Sequence, residues 1–477
     1  MVSIKKNFLY SSVLTTAGYI FPMITYPYAS RVLGVDNIGI FNFVDSIISY
    51  FILISMMGIS VIGIREVAAV RNDSVKLNKV FSSLVILNSI TTVFAIVGLI
   101  LTVILIPKLR ANSTLFYIGI SKIFFNYLLV EWLFKGLEDF KYITLRTLGV
   151  RILLVIAIFA LVHTKNDLGM YYGAICGVVV VNAIVNCIYA RKFVSFDFRN
   201  ISLRPYVKSF FILGINGFLV SMYTTFNTVY LGFVASEKEV GYYGTAIKLY
   251  TIILALYTAF TGVMLPRMSA LVHDNNKEEF MRLLFKSLRF LISCSIPAIL
   301  FVEFFTPQIV ELLAGNGYEG AIIPMRIVIP LVFIIGYEQI IIIQALMPLK
   351  KDSKIFFNSV IGAITGILLN LLLVQKFFAI GSSIVWVLSE ILILILSQIC
   401  IEKYIKIKFP FERLLKTILF YFPLCVGYIL LNKISDSIYI ALLGGIATVV
   451  YFYVLHRFFL HDEIGKFFGC INMLKRR

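Results

Sequence analysis

From residue 6 to residue 459 one pattern recurs: an apolar run of about 20 residues, then a short connection that carries most of the Lys and Arg. A run of that length crosses the roughly 30 Å hydrocarbon core of a bilayer as an α-helix, whose backbone polar groups satisfy one another. The composition leaves no other class. Of 477 residues, 60% are hydrophobic and 14% charged, whereas soluble domains hold about 25% charged residues. A water-soluble fold could not hide so much apolar surface, and no polar stretch is long enough to form a soluble domain. The chain reads as an all-α polytopic membrane protein.

Fourteen transmembrane helices are predicted, at 6–30, 38–63, 80–106, 113–134, 143–163, 168–189, 207–235, 240–264, 284–305, 321–346, 355–375, 379–401, 411–431 and 437–459. An even count puts both termini on one side of the membrane. Charge selects the side. With the amino terminus cytoplasmic, 33 of the 43 Lys and Arg fall on the inner face and 7 on the outer, with Lys122, Lys248 and Arg326 inside spans. This bias holds at every connection, as the positive-inside rule requires, and one missed helix would invert it. The net charge of +18 is therefore a topology signal, and no nucleic-acid partner is expected. The start, "MVSIKKNF", resembles a signal n-region. The apolar segment after it is long, holds Pro22 and Pro27, and lacks a small-residue cleavage pattern, so it reads as a retained first helix. The longest outer connection, Phe304 to Gly320, is partly apolar and suits a short interfacial helix.

Six cysteines, Cys176, Cys187, Cys294, Cys400, Cys425 and Cys470, form no CxxC pair and mostly lie in apolar runs. They read as small membrane residues, and no metal or cofactor is expected. The four histidines, His163, His273, His456 and His461, fall at span ends or in connections. No nucleophile–base pairing or phosphate-cradling glycine loop emerges, and the outer connections are too small for a membrane polymerase or ligase site. The chain is not expected to be an enzyme.

Sliding the sequence by 202 residues reveals a repeat. Lys6–Phe8 meets Lys208–Phe210, "VDNIGIF" (Val35–Phe41) meets "EKEVGYY" (Glu237–Tyr243), and Arg65 meets Arg267. Each copy begins with a basic residue, runs outward, turns where an acidic residue precedes an apolar–Gly pair (Asp36 before Ile38–Gly39, Glu237 before Val240–Gly241) and returns to an arginine. Six spans separate the copies, so they are parallel and related by a pseudo-twofold axis along the membrane normal. The predicted organisation is an N-terminal six-helix lobe (1–190), a cytoplasmic linker (191–206), a second six-helix lobe (207–401), and an additional helix pair with a basic tail (402–477). Two such lobes around a central cleft suit alternating access, the work of a transporter.

Four stretches carry a family resemblance: "YPYASRVLGVDNIGIF", "GISVIGIREVAAVRND" (Gly58–Asp73), "VGYYGTAIKLY" (Val240–Tyr250) and "VMLPRMSAL" (Val263–Leu271). They resemble Wzx-type polysaccharide repeat-unit flippases of the multidrug/oligosaccharidyl-lipid/polysaccharide exporter superfamily, over the first twelve spans. The resemblance implies a flippase of the bacterial cytoplasmic membrane. It would move undecaprenyl-diphosphate-linked oligosaccharides, as in O-antigen, capsule or exopolysaccharide synthesis, from the inner to the outer leaflet. It also implies the lipid bilayer as surroundings and, as candidate partners, the polymerase and chain-length machinery of the same pathway.

Charges inside spans fit such a substrate. They cost roughly 2.5–3.5 kcal/mol on insertion scales and face a bundle interior. Candidates to bind the diphosphate are Arg31, Lys122, Lys248, Arg151 and Arg326. Arg31 fits the family's "PYxxRxLG" pattern and could clamp phosphate, or reach headgroups as a helix-end cation. Lys248 lies about 12 Å into its span; Asp45, at similar depth, is a candidate gate partner for it. Arg151 and Arg326 suit either anion contact or headgroup anchoring. Arg65 and Arg267 stand at the inner mouth as topology signals or an intake site. Glu338 and Glu390 are candidates for proton coupling or for helix-to-helix hydrogen bonds. Asn126, Asn182, Asn186, Asn216, Asn227 and Asn370 read as helix glue or sugar contacts. A multidrug-type exporter on the same fold is the rival function; the basic in-span residues argue against it.

Overall fold

The computed structural model describes residues 4–197, 201–435 and 437–459; the basic tail from residue 460 on, with Cys470 and His461, lies outside the described residues. The helices are α1 (Ile4–Met56), α2 (Ile59–Val70), α3 (Ser74–Leu105), α4 (Pro107–Arg110), α5 (Ser113–Tyr127), α6 (Glu131–Gly136), α7 (Phe140–Leu161), α8 (Leu168–Ala190), α9 (Arg204–Ser221), α10 (Thr225–Val234), α11 (Glu237–His273), α12 (Lys277–Ala314), α13 (Ile322–Val328), α14 (Leu331–Ile341), α15 (Asp352–Leu369), α16 (Gln375–Ile405), α17 (Phe411–Ile434) and α18 (Ile438–Val454). No strand occurs among the described residues.

Two apolar helical segments, Ile20–Val70 and Asp352–Ile405, run for 51 and 54 residues. At about 1.5 Å per residue each is more than twice as long as a bilayer core is thick, so each crosses twice. The reversals have identifiable causes. Gly34 sits at φ 79°, ψ 169°, a region open almost only to glycine. Phe378 breaks α16 at φ 47°, ψ −121°. Counting each segment as two crossings, and α9 with α10 (bent by 54°) as one, gives the fourteen spans predicted. The sequence did not show that three spans are broken. The second breaks at Met57 (φ 36°) and Gly58, the fourth at Val130 (φ 38°), and the seventh between α9 and α10. At Gly58 the backbone N–H donates to Phe210 O at 3.1 Å, and a Cβ there would stand 2.7 Å from that oxygen. Only glycine admits this approach. The stretch expected to form a short helix, Phe304 to Gly320, is helical as far as Ala314 and is set off from the rest of α12 by a kink at Phe305.

The described residues group into two compact units, one running to Gly244 and adding Ser359–Ser389, the other holding Thr245–Asn358 and the residues from Glu390 on. In the first unit the repeat becomes a physical contact. A Cβ added at Gly39 would meet Glu237 O at 1.8 Å, one at Gly241 would meet Val35 O at 2.3 Å, and one at Gly244 would meet Asn42 Nδ2 at 2.1 Å. Under the 202-residue offset Val35 matches Glu237, Gly39 matches Gly241 and Asn42 matches Gly244. Position 35 of each copy therefore touches position 39 of the other, and position 42 touches its own equivalent. That self-complementary pattern is what a twofold contact produces.

The first unit's core gathers where basic residues cluster. Ile59, Ile62 and Val67 of α2 pack on Trp132, Leu133 and Phe134 of α6, joined by Leu77, Val80 and Leu84 of α3. Gly63 lies under the Trp132 indole and Gly136 under Val67, where a Cβ would come within 2.6 Å of each. Asp73 caps α3; the Lys76 backbone N–H, donating to its carboxylate at 3.1 Å, holds that carboxyl below its usual range. The other side of the helices is apolar and exposed, as at Leu153 and Ile156 of α7. A lipid-facing surface has this character. In the second unit, α17 and α18 pack on α12: Gly444 sits against the Phe305 ring, and Asn432 Nδ2 donates to Phe304 O at 2.9 Å.

Candidate functional site

The first unit holds two charged clusters within membrane spans. In one, Lys122 Nζ of α5 lies 2.5 Å from Asp45 Oδ1 of α1, and the Tyr172 hydroxyl of α8 donates to the same oxygen at 3.3 Å. The Lys122 and Asp45 side chains are 16% and 27% exposed. Close packing builds the site: Gly119, three residues before Lys122, leaves room for Ile48 and the Tyr172 hydroxyl, which an added Cβ would meet at 2.6 and 3.0 Å. On α5 the exposed apolar residues are Tyr117 and Phe124. At 3.6 residues per turn Lys122 points roughly 140–160° away from them. The ammonium thus faces away from lipid. Within this unit the Asp45 carboxylate is held by Lys122 and Tyr172.

The second cluster centres on Glu131, at the start of α6. Arg146 Nη2 donates to Glu131 Oε1 at 2.7 Å and to Thr147 Oγ1 at 2.8 Å, while Lys135 Nζ lies 3.3 Å from Glu131 Oε2. The Arg146 side chain is 4% exposed, and its Nε and Nη1 find no acceptor among the described residues. Arg151, also on α7, has its Nη1 buried without an acceptor. Its guanidinium lies over Gly18 of α1, where an added Cβ would stand 3.5 Å from Nη1, and Glu131 is the carboxylate whose field reaches it. Arg151 points roughly 140° from the exposed face marked by Leu145, Ile152, Leu153 and Ile156. One carboxylate therefore stands among three cations, with three buried N–H bearing nitrogens unsatisfied. Buried polar groups normally have partners, so this cluster has capacity left for an anion. Arg146 was missed from the sequence, where it counts only as an inner-face topology charge.

The remaining candidates are dispersed. Arg31 is exposed and donates to its own helix, at Pro27 O, 2.7 Å away. Beside it Tyr28 Oη donates to Val162 O at 2.7 Å and Asn37 Nδ2 to Lys165 O at 2.8 Å. These bonds tie the predicted outer turns, 31–37 and 164–167, and the span ends beside them together. Arg65 pairs with adjacent Glu66 at 2.9 Å, and Arg267 lies 3.5 Å from Glu279; both arginines are exposed, and such pairs contribute little. Lys248 is half-buried and Arg326 exposed, the latter sharing its field with Glu303.

In the second unit Glu338 of α14 and Glu390 of α16 are both buried and neighbour each other. Among the asparagines, Asn370 Nδ2 donates to Asn227 Oδ1 at 2.7 Å, and Asn186 accepts from Tyr142 Oη at 2.9 Å; these join helices. The Asn216 side chain lies outside what is described.

Comparison with known proteins places the chain. A family profile described as "Polysaccharide biosynthesis protein" matches residues 4–272. A protein of Escherichia coli (strain K12) assigned as an O-antigen transporter is 24% identical over 401 residues, covering 82% of this chain and 95% of its own length. A Haloferax volcanii protein assigned as a low-salt glycan biosynthesis flippase is 22% identical over 315 residues, covering 66% of this chain and 62% of its own. Among solved structures, the lipid II flippase MurJ in an inward closed conformation superposes with a TM-score of 0.79 at 16% identity, covering 96% of this chain and 99% of MurJ. An inward-facing multidrug resistance transporter of the MATE family gives 0.60 at 13% identity, covering 84% and 96%. The profile covers more than half of the chain, and the spans agree with it: the chain belongs to the polysaccharide biosynthesis protein family.

Proposed function

We propose that this protein is a flippase that moves undecaprenyl-diphosphate-linked oligosaccharide repeat units from the inner to the outer leaflet of the bacterial cytoplasmic membrane, with both termini cytoplasmic. The supporting observation is the pair of guanidiniums on α7, the buried Arg146 and the half-buried Arg151, which lie within a membrane span and have buried nitrogens with no acceptor among the described residues. Glu131 is the one carboxylate among three cations here, and burying charge that is not fully compensated is costly. A site that keeps it is built for an anionic headgroup, and the fork of Arg suits phosphate oxygens.

In this reading the six-helix lobes 1–190 and 207–401, joined by the linker 191–206, alternate access to the substrate. Arg31, Lys122, Lys248, Arg151 and Arg326, now with Arg146, supply cations along its path. Arg65 and Arg267 receive the headgroup at the inner mouth. Asp45 acts at a gate, and the neighbouring buried carboxyl groups of Glu338 and Glu390 are where ion movement is coupled to transport. The isoprenoid tail stays in lipid. The relatives assigned as an O-antigen transporter and a glycan flippase support the same substrate class.

Purified protein in sealed vesicles carrying a fluorescent polyprenyl-diphosphate oligosaccharide in one leaflet tests this. Protein-dependent appearance of the lipid in the other leaflet is the expected result. No movement of that lipid, with extrusion of organic cations instead, would establish the multidrug-type alternative.

A further inference from the structure

The Lys122–Asp45 pair poses a problem for a phosphate-binding role. A free ammonium facing away from lipid would attract any phosphate, and ordinary membrane phospholipids vastly outnumber a carrier-linked sugar. Here the ammonium is already occupied at 2.5 Å by a carboxylate that the Tyr172 hydroxyl also holds. Both charged side chains retain some exposure, so a ligand can reach the pair without unfolding it.

We infer that Asp45 is a built-in counter-ion that makes Lys122 selective for ligands carrying two or more negative charges; this rests on the flippase reading and specifies which headgroups its path admits. The reasoning is an exchange balance. A phosphodiester lipid brings one negative charge, the same as Asp45. It must displace a carboxylate already aligned, and it pays the cost of its own ordering, so the exchange is unfavourable. A diphosphate brings more charge to the same ammonium, and Coulomb attraction scales with that charge. It alone gains enough to displace the carboxylate. Tyr172 is the positioning residue: its hydroxyl donates to Asp45 in the pair and is placed to keep a partner for the carboxylate once Lys122 is taken. Specificity here comes from what the site repels as well as from what it attracts.

The test uses the full chain in detergent, with farnesyl diphosphate as the multiply charged probe and phosphatidylglycerol as the singly charged one, retention being read by native mass spectrometry. The unaltered protein should retain farnesyl diphosphate in the presence of excess phosphatidylglycerol. Asp45→Asn, nearly isosteric, should raise phosphatidylglycerol affinity about tenfold, so that this lipid is retained at concentrations where the unaltered protein retains none. Tyr172→Phe removes only a hydroxyl and should raise phosphatidylglycerol retention by less, which covers the case in which Asp45→Asn fails to fold. Lys122→Gln should lower farnesyl diphosphate retention. If Lys122→Gln does so while both other variants retain no more phosphatidylglycerol than the unaltered protein, the counter-ion role is overturned and the flippase reading stands. If the unaltered protein shows no preference for farnesyl diphosphate, the flippase reading falls and this inference with it.

Discussion

Gly39 and Gly241, 202 positions apart, lie against each other: a Cβ added at Gly39 would stand 3.1 Å from the Gly241 nitrogen and 1.8 Å from Glu237 O. Two turns that share a sequence pattern also share a contact, and each glycine is required by the backbone of the other copy. The repeat is thus a packing device as well as a record of sequence similarity.

Replacing either glycine should damage the protein before it affects any ligand. Gly39→Ala and Gly241→Ala force backbone apart and should each cost about 1–3 kcal/mol. Gly173→Ala and Gly427→Ala, where an added Cβ meets nothing within 4 Å, should be neutral or stabilise by up to about 1 kcal/mol. Thermal unfolding of the four variants in detergent checks the contrast; equal midpoints would refute the contact.

Glu131 neutralises part of a buried cationic cluster, so its removal should cost more than the loss of one hydrogen bond. Glu131→Gln leaves Arg146 buried with weaker compensation and should destabilise by about 1–3 kcal/mol. The double change Glu131→Gln with Arg146→Met should recover part of that loss, as removal of both partners of a buried pair commonly does. A double-mutant cycle on unfolding midpoints measures the coupling; strict additivity would mean the two groups act independently.

Transport should respond to cations that stability ignores. Arg31→Ala and Lys248→Ala should each lower flipping about tenfold, with membrane insertion normal as judged by protein level and protease accessibility. Arg31→Lys, keeping charge but losing the fork, should fall between. Full transport in both alanine variants would remove these residues from the substrate path.

Glu338→Gln keeps the side chain's size beside Glu390 while fixing the position in a neutral form. The fold should survive, and transport driven by an imposed pH gradient across vesicles should be lost. A variant that still responds fully to the gradient would leave Glu338 a structural role only.

Much of the architecture is legible because the bilayer imposes it. Apolar length sets the spans, Lys and Arg set the sides, and Gly34 marks the first outer turn. What stayed hidden depends on backbone events without a residue signature. Met57 and Val130 take positive φ though neither is glycine, so the breaks they make leave no trace in hydropathy. The break at Val130 starts the short helix α6 at Glu131 and brings that carboxylate to Arg146, fifteen residues on. In sequence Arg146 is one of several inner-face charges. Asp45, Lys122, Glu338 and Glu390 stood out singly, since a charge in an apolar run is conspicuous. Their pairings span 77 and 52 positions and needed tertiary structure to appear, as did the part of Tyr172.

The central claim is that a diphosphate-linked glycan crosses the membrane by way of this protein. It is tested most directly by the composition and sidedness of lipid-linked saccharides in cells from which the gene has been deleted. The account predicts that complete repeat units accumulate on carrier lipid in the inner leaflet, with polymer lost. Units lacking their last sugar, or complete units stranded unpolymerised in the outer leaflet, would contradict it.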